Sequence, residues 1–524
     1  MNARPKLRNM GTSLSDTRCA GVCLHVTALP GRYGIGELGQ SAFAFIDELK
    51  AMGLQLWQFL PLGPTGYGDS PYQPLSSFAG NEMLIDIGEL IRLKLISEAE
   101  AKPLTQLPTS AVDYGRLIPL KTTLLKKAAE RFEMRASTQL KTACDAFCND
   151  HDQAWLRNYA LYRTLKTLHG EKAWPHWPRR YARRYLRSLR RIEREYAAAM
   201  QTVRIAQFLF HHQCSAVKRY AADNGIALFG DVPIYIALDS ADAWSQQEII
   251  RVDRDGRPGF VSGVPPDYYS KDGQLWGNPL YDWDYHQRNR YAWWIDRFRH
   301  TMRYTDLVRV DHFRGFEAYW AVPADATTAR SGTWERGPGY ALFDALSDAL
   351  GSLPIVVENL GVITAEVEAL REHYDMPGMV ILQFDASKKD FDPDQIDTNN
   401  VVYTGGHDND TTQGWFNGGP GDIRTRAEVK QEQRIILEKT GGSAATIHWD
   451  LIRLTFGCDG RIAIVPMQDF LGLGSEARFN TPATESGNWR WRLLDEQLTL
   501  KLREQVCRAV AEGARCSPAT CFKR

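Results

Sequence analysis

"TDLVRVDHFRGF" (305–316) runs apolar and β-branched as far as Val310, then turns to an aspartate, a histidine and an arginine. A buried strand that ends on charge sets that charge at the rim of a sheet, as a loop anchor or as a working group. The pattern recurs. Seven further short apolar runs follow the same theme, and several stop at a polar cluster: "AGVCL" (20–24), "LQLWQFL" (54–60), "IALF" (226–229), "IVV" (355–357), "MVILQF" (379–384), "VVY" (401–403) and "IAIV" (462–465). Helical patterns such as "SAFAFIDELKAMG" (41–53) and "ITAEVEALREHY" (363–374) precede several of them. Apolar strands alternating with helices predict a parallel sheet covered on both faces. Eight of them favour an α/β fold of the (β/α)8 TIM barrel type. A doubly wound open sheet is the alternative, because periodicity does not show closure.

A plain barrel needs roughly 250 residues, and this chain has 524. The reading is a single barrel domain over 1–524, with a mainly helical insertion at 61–225 between the second and third strands. A second insertion at 231–306, rich in Gly, Pro, Asp and aromatics, is expected to form loops over a cleft. About 60 mostly helical residues follow the last strand, so no C-terminal β-domain is expected. Lys plus Arg and Asp plus Glu each number 63, a balance that argues against a bulk binder of nucleic acid or membrane. The arginine-rich stretch 179–200 reads as a solvated helix face before a nucleic-acid patch. Nine scattered cysteines are unlike a disulfide framework. The first residues lack the apolar core of a signal peptide, and no run approaches the ~18 apolar residues of a membrane span. A cytoplasmic protein is the expectation.

Barrel enzymes carry their chemistry at the carboxyl ends of the strands. Asp231 ends the third run, Asp311 the fourth and Glu358 the fifth; His407, Asp408 and Asp410 follow the seventh. Any one of these acids is more often a helix cap or loop anchor, and Asp231 or Asp410 alone fits that reading. Several on one rim fit glycosidic bond cleavage, in which one carboxylic acid protonates the leaving oxygen and a carboxylate attacks the sugar carbon. A divalent-metal site is the rival reading. No HxH or HExxH spacing supports it, and neither GxGxxG nor GxxxxGK[ST] directly follows one of these runs. His25, His312 and His407, each beside a strand end, are then hydroxyl hydrogen-bonders or satisfied structural histidines.

Longer motifs carry a resemblance: "LHVTALPGRYGIGELG" (24–39), "WQFLPLGPTGYGDSPYQPLSSFAGN" (57–81), "GDVPIYIALDSADAW" (230–244), "GVPPDYYSKDGQLWGNPLYDW" (263–283), "RVDHFRGFEAYW" (309–320), "VVENLGVIT" (356–364), "YTGGHDNDTT" (403–412) and "GLGSEARFNTPATESGNWRWRL" (472–493). From about 20 to 495 the chain resembles the amylomaltase, or disproportionating-enzyme, family of 4-α-glucanotransferases in the α-amylase clan. The resemblance implies a retaining transferase of α-1,4-glucan segments between malto-oligosaccharides or starch chains, with no cofactor and no metal. It makes Asp311 the nucleophile, Glu358 the general acid and base, and Asp408 the carboxylate that holds the sugar hydroxyls. Arg309 is expected to donate to Asp311 and keep it ionised, and His407 to bond the same glucose ring. Ser70, Tyr72, Asp231 and His312 are expected neighbours, and Asn480, in the last motif, a further substrate contact. Asp267, Tyr268 and Trp276 belong to a loop expected to cover bound glucan. Tyr67 matches a position of a second glucan groove, with an exposed structural tyrosine as an equal reading. The sequence departs from the usual pattern at Val26, Leu238, Asp385, Gly406, Phe479 and Ala483. Retention implies carboxyl groups of Asp311 and Glu358 about 5–5.5 Å apart. An amylase-like hydrolase and a non-catalytic glucan binder remain as alternatives.

Overall fold

The computed structural model describes residues 18–266, 270–484 and 486–515. Twelve strands occur among these. In chain order they are β1 (Cys19–Cys23), β2 (Leu56–Gln58), β3 (Ala227–Val232), β4 (Phe260–Val264), β5 (Gln274–Pro279), β6 (Leu307–Val310), β7 (Ala318–Pro323), β8 (Thr333–Arg336), β9 (Ile355–Val357), β10 (Gly378–Ile381), β11 (Asn400–Tyr403) and β12 (Ile462–Pro466). Eight of them form one sheet in the order β10–β11–β12–β1–β2–β3–β6–β9, with every pair parallel. At its two edges the Val357 N–H, ending β9, donates to the carbonyl of Pro377, just before β10, at 2.9 Å. The edges therefore meet and the sheet closes into a (β/α)8 barrel, which removes the open-sheet alternative. Each of the eight sequence runs overlaps a barrel strand. "MVILQF" is shorter than expected as a strand, because it turns into a helical segment at Leu382–Asp385.

Alternation along the strands divides two cores. Leu56, Phe229, Leu307, Val356, Val401, Tyr403, Ile462 and Ile464 pack together inside the barrel, while Val22, Trp57, Leu228, Val357 and Val465 join the larger core beneath the helices. Both faces are dry, which is why these strands read as unbroken apolar runs. Gly21 is required inside: a Cβ there would lie 2.7 Å from both Leu56 and the Ile464 side chain.

Between β2 and β3 the chain is mostly helical, with long helices at Tyr114–Arg135, Thr138–His151, Arg157–Leu168 and Ala197–Asp223. Asp113 and Ser137 cap the first two by accepting from Arg116 and Leu140 N–H. The last helix runs beside Gln40–Ala51, where Tyr220 donates to Asp47 at 2.8 Å. Two ion pairs tie this region to the barrel loops. Lys121 and Glu37 pair wholly buried, and Asp239 accepts from Tyr162 at 2.7 Å and from Lys166 at 2.5 Å. A buried charge of this kind persists only because it is paired.

His151, His211 and His300 meet where the helical region packs on the helix Ala292–Thr301, with the His151 ring 6.0 and 6.2 Å from the other two. The Arg303 guanidinium donates to His151 Nε2 at 2.9 Å, which requires that nitrogen to carry no proton. Burial first, then the Arg303 cation and neighbouring histidines, push His151 and His211 down to about 4 and His300 to about 3. The unfolded chain takes up these protons near the ordinary value of 6.5, so the folded form is favoured fully above that pH. Stability is expected to decline as pH falls from about 6.5 to about 4, by on the order of a few kcal/mol in total. Thermal melts across this window check it: the decline should flatten in His300→Phe, and an unsloped wild-type profile refutes it.

The segment 231–306 differs from the loops expected of it. β4 and β5 form an antiparallel pair, β4 pairs with β7, and β7 with β8, giving a second sheet in the order β5–β4–β7–β8. Glycines and polar residues in the segment hid this sheet, and the β7 strand that pairs with β4 lies more than 50 residues further along the chain.

Candidate active site

Backbone bonds carry the barrel ladder one step past the strands. Asp311 N donates to Val232 O at 3.1 Å, and Glu358 N to Val310 O at 3.0 Å. Both carboxyl groups are thereby fixed at the rim. In the ladder Asp231 stands directly opposite Arg309, so their side chains point to the same face. The buried Arg309 guanidinium, 3% exposed, then holds three carboxylates. Its Nη1 donates to Asp231 Oδ2 at 2.6 Å, and its Nη2 donates to Asp311 Oδ1 at 3.1 Å and to Glu358 Oε2 at 2.7 Å. Tyr72 Oη also donates to Asp231 Oδ2, at 2.8 Å. The sequence expected Arg309 to serve Asp311; the structure has it serve Asp231 and Glu358 as well.

The electrostatics follow from burial and this one cation. Arg309 resists its own burial because Asp231, Glu358 and Asp311 surround it, and its pKa stands well above the ordinary value. Burial pushes the Asp311 carboxyl well up, with the charges of Glu358 and Asp231 adding to it against Arg309. Burial acts on Glu358 too, but Arg309 and the backbone N–H of His312, which donates to Oε2 at 2.7 Å, bring it below the ordinary range. Two like charges so close do not both form readily, so the pair titrates as a unit around one shared proton.

His312 has left-handed backbone geometry, with φ of 44°, an uncommon state for a residue with a side chain. The Trp276 ring meets its imidazole edge-on at 4.9 Å. Burial pushes His312 down to about 4, so the ring is neutral at physiological pH. Its Nε2 and Asp231 Oδ1 are buried with no protein partner.

Asp408 stands on the opposite side. Glu358, Arg309, His407 and Asp408 line one cavity. Asn480 Nδ2 donates to Asp408 Oδ1 at 2.6 Å, and His407 Nε2 lies 3.4 Å from the same oxygen. Tyr72 stacks on His407 with ring centres 5.0 Å apart and planes 12° from parallel, and its backbone N–H donates to Ser70 Oγ at 3.2 Å. Asp410 caps no helix. It accepts from Ser475 Oγ at 2.6 Å, while Thr411 caps Thr412–Asn417.

The structure thus brings Ser70, Tyr72, Asp231, Arg309, Asp311, His312, Glu358, His407, Asp408 and Asn480 to one end of the barrel, with Trp276 touching His312. Asp267 and Tyr268 lie outside the described residues, as does the side chain of Tyr67. Two contributors escaped the sequence reading. Arg478 donates to the carbonyl of Asp408 at 2.7 Å and to that of Asn480 at 2.8 Å, fixing the loop that carries both. Trp489 packs 6.0 Å from Tyr72, 6.1 Å from His407 and 5.6 Å from Phe479. Both residues lie in "GLGSEARFNTPATESGNWRWRL", a signal that the motif matters without saying which of its residues do. No group of three or more His, Cys, Asp or Glu among the described residues is arranged to hold a metal ion.

Comparison with known proteins places this geometry. A family model described as 4-alpha-glucanotransferase matches residues 24–498. A 4-alpha-glucanotransferase of Thermus thermophilus is 42% identical over 507 residues, covering 95% of this chain and 98% of the relative. One of Synechocystis is 43% identical over 492 residues, covering 92% and 95%. Among solved structures, the amylomaltase from Streptococcus agalactiae in complex with acarbose aligns with a TM-score of 0.89 at 33% identity, covering 95% of this chain and 99% of that one.

Proposed function

The chain belongs to the 4-α-glucanotransferase family, and on that premise we propose that Asp311, Glu358 and Asp408 move α-1,4-glucan segments between malto-oligosaccharide or starch chains with retention of configuration. The observation that carries the mechanism is the shared nitrogen of Arg309. Two oxygens bound to one Nη2 at 3.1 and 2.7 Å leave no room for the ~6.5–9.5 Å carboxyl spacing that an inverting water needs, which supports a retaining pair.

In the first step Asp311 attacks the anomeric carbon, the glycosidic C–O bond breaks, and Glu358 delivers its proton to the departing oxygen. In the second step Glu358 takes the proton of an acceptor 4-hydroxyl, that oxygen bonds to the same carbon, and Asp311 leaves. The geometry seen here favours the shared proton on Asp311 and the charge on Glu358. A donor seated on the pair reverses this: positive charge developing on the sugar carbon favours the Asp311 anion, and the glycosidic oxygen draws the proton through Glu358. Asp408, held by Asn480, is oriented to accept sugar hydroxyls. His312 Nε2 and Asp231 Oδ1, both without a protein partner, supply further hydrogen-bonding positions.

Transfer rather than hydrolysis depends on keeping water from the ester. The packed rings of Tyr72, His407 and Trp489, with Trp276 against His312, provide an apolar surround for the reacting sugars. Cys23, Cys144, Cys148, Cys214, Cys458 and Cys507 carry free thiols, which suits work in a reducing compartment such as the cytoplasm. No helix among the described residues is long and apolar enough to cross a membrane.

Incubation with maltotriose alone tests the proposal. A ladder of longer chains with glucose, at nearly constant total reducing ends, is the expected result. Rising reducing ends with glucose and maltose alone mean that water takes the ester. No turnover at all leaves a glucan-binding protein.

A further inference from the structure

The loop that carries His407 and Asp408 leaves β11 at Thr404 and ends where the helix Thr412–Asn417 begins. Both roots of this loop meet one buried carboxyl. Asp469, 1% exposed, follows β12 in the short helical turn Met467–Phe470. Its Oδ2 accepts from Thr404 Oγ1 at 2.6 Å and from Thr412 Oγ1 at 2.8 Å, and its Oδ1 accepts from the Thr412 N–H at 2.7 Å. β12 pairs in parallel with β11, so the residues just past its end stand beside the start of the loop.

A carboxyl this deep persists only where donors surround it. Burial pushes Asp469 up, and the bonds from Thr404 and Thr412 oppose that. Thr404 and Thr412 are fully buried in turn, so neither hydroxyl has water to turn to. Between the roots lies neither helix nor strand, and the adjacent Gly405 and Gly406 do little to stiffen the chain. Other ties act on its middle. Arg478 holds the Asp408 carbonyl, and Gln383, following β10, donates to the Asp410 carbonyl at 2.9 Å. Asp469 does not line the cavity shared by Glu358, Arg309, His407 and Asp408, so it reaches the sugar only through the loop.

From this double attachment we infer that Asp469 is a positioning residue for glucan transfer, clamping both roots of the loop and so fixing where Asp408 and His407 meet the sugar. A reacting group displaced by about 1 Å can lose on the order of 10²-fold in rate, and a loop without regular structure resists such a shift only at its ties. The inference rests on the function proposed above and adds to it a residue that touches no substrate.

Asp469→Ala and Asp469→Asn, each made alone and together with Asp408→Ala, test it. In Asp469→Ala, kcat on maltotriose is expected to fall roughly 10–100-fold, with a smaller change in KM. Asp469→Asn should recover most of the rate, because its oxygen still takes the Thr412 N–H and its amide donates to hydroxyls that turn to accept. Fluoride release from α-maltosyl fluoride should fall with Asp469→Ala alone, and scarcely further when Asp408 is already alanine, since the group being placed is then gone. An equal loss in both backgrounds overturns the clamp, because Asp469 then supports the barrel in general. So does a wild-type kcat in Asp469→Ala. Should that variant not fold, Thr404→Val combined with Thr412→Val removes the two hydroxyl ties and must lower kcat in the same way; wild-type kcat there overturns the proposal. Should the wild type fail to disproportionate maltotriose, the functional reading fails first. Amide hydrogen exchange across 404–412 then decides the clamp alone: faster exchange in the Asp469→Ala or paired valine variant upholds it, and an unchanged rate refutes it.

Discussion

Replacing Asp311 by alanine is expected to lower transfer from maltotriose by at least ~10⁴-fold, equivalent to more than ~5 kcal/mol of lost transition-state stabilisation. The side chain proposed to form the ester is then gone, and no neighbour can replace it. Asp231 is bound to Arg309 and Tyr72, and Glu358 is held by Arg309 and the His312 N–H. Glu358→Gln separates the two roles. It should cost roughly 10²–10⁴-fold on maltotriose, the scale of general acid–base catalysis. A donor such as α-maltosyl fluoride, whose leaving group needs no proton, should restore the first step and leave the second one slow. A burst of fluoride release followed by a slow phase checks this. Residual transfer within tenfold of wild type in Asp311→Ala would remove Asp311 from the mechanism.

The second large effect is on Arg309. Three carboxylates converge on this buried guanidinium, so its removal leaves uncompensated negative charge where water does not reach. Arg309→Met is expected to cost about 3–5 kcal/mol of stability, the usual penalty for breaking a buried pair from one side. The carboxyls respond by holding protons to higher pH, because the cation that opposes their burial is lost. The stability gap between the variant and the wild type should therefore narrow as pH is lowered through the carboxylate range. Arg309→Lys keeps the charge but has no fork to serve Asp231 through one nitrogen and the Asp311–Glu358 pair through the other. It should fold and remain catalytically impaired. Denaturant melts at two pH values, with the maltotriose assay, distinguish these outcomes; an Arg309→Met variant as stable as wild type at neutral pH contradicts the network.

Much of the architecture could be read locally. A strand buried on both faces must be apolar along its length, so each barrel strand announced itself as a short run, and at Asp231, Asp311, Glu358 and His407 the break into charge marked the rim. The second sheet gave no comparable signal. β4 is "FVSGV" and β5 "QLWGNP", both diluted by glycine and polar residues, and what makes them strands is pairing with each other and with β7. Trp489 and Arg478 were illegible for a related reason. Their value lies in what they touch, Tyr72 and His407 for one and the carbonyl of Asp408 for the other, and those contacts cross between 70 and more than 400 residues of chain.

The sequence by itself determined which groups could do chemistry and on which rim they would stand, because strand burial and strand termination are written in neighbouring residues. It also carried the motifs of the family. Only the tertiary structure decided how those groups share charge. Arg309 lies 78 residues from Asp231 and 49 from Glu358, and side-by-side pairing of β3, β6 and β9 brings all three within hydrogen-bond reach. Burial then makes the contacts matter, since a cation amid three carboxylates in a dry site sets their protonation far more strongly than it would in water.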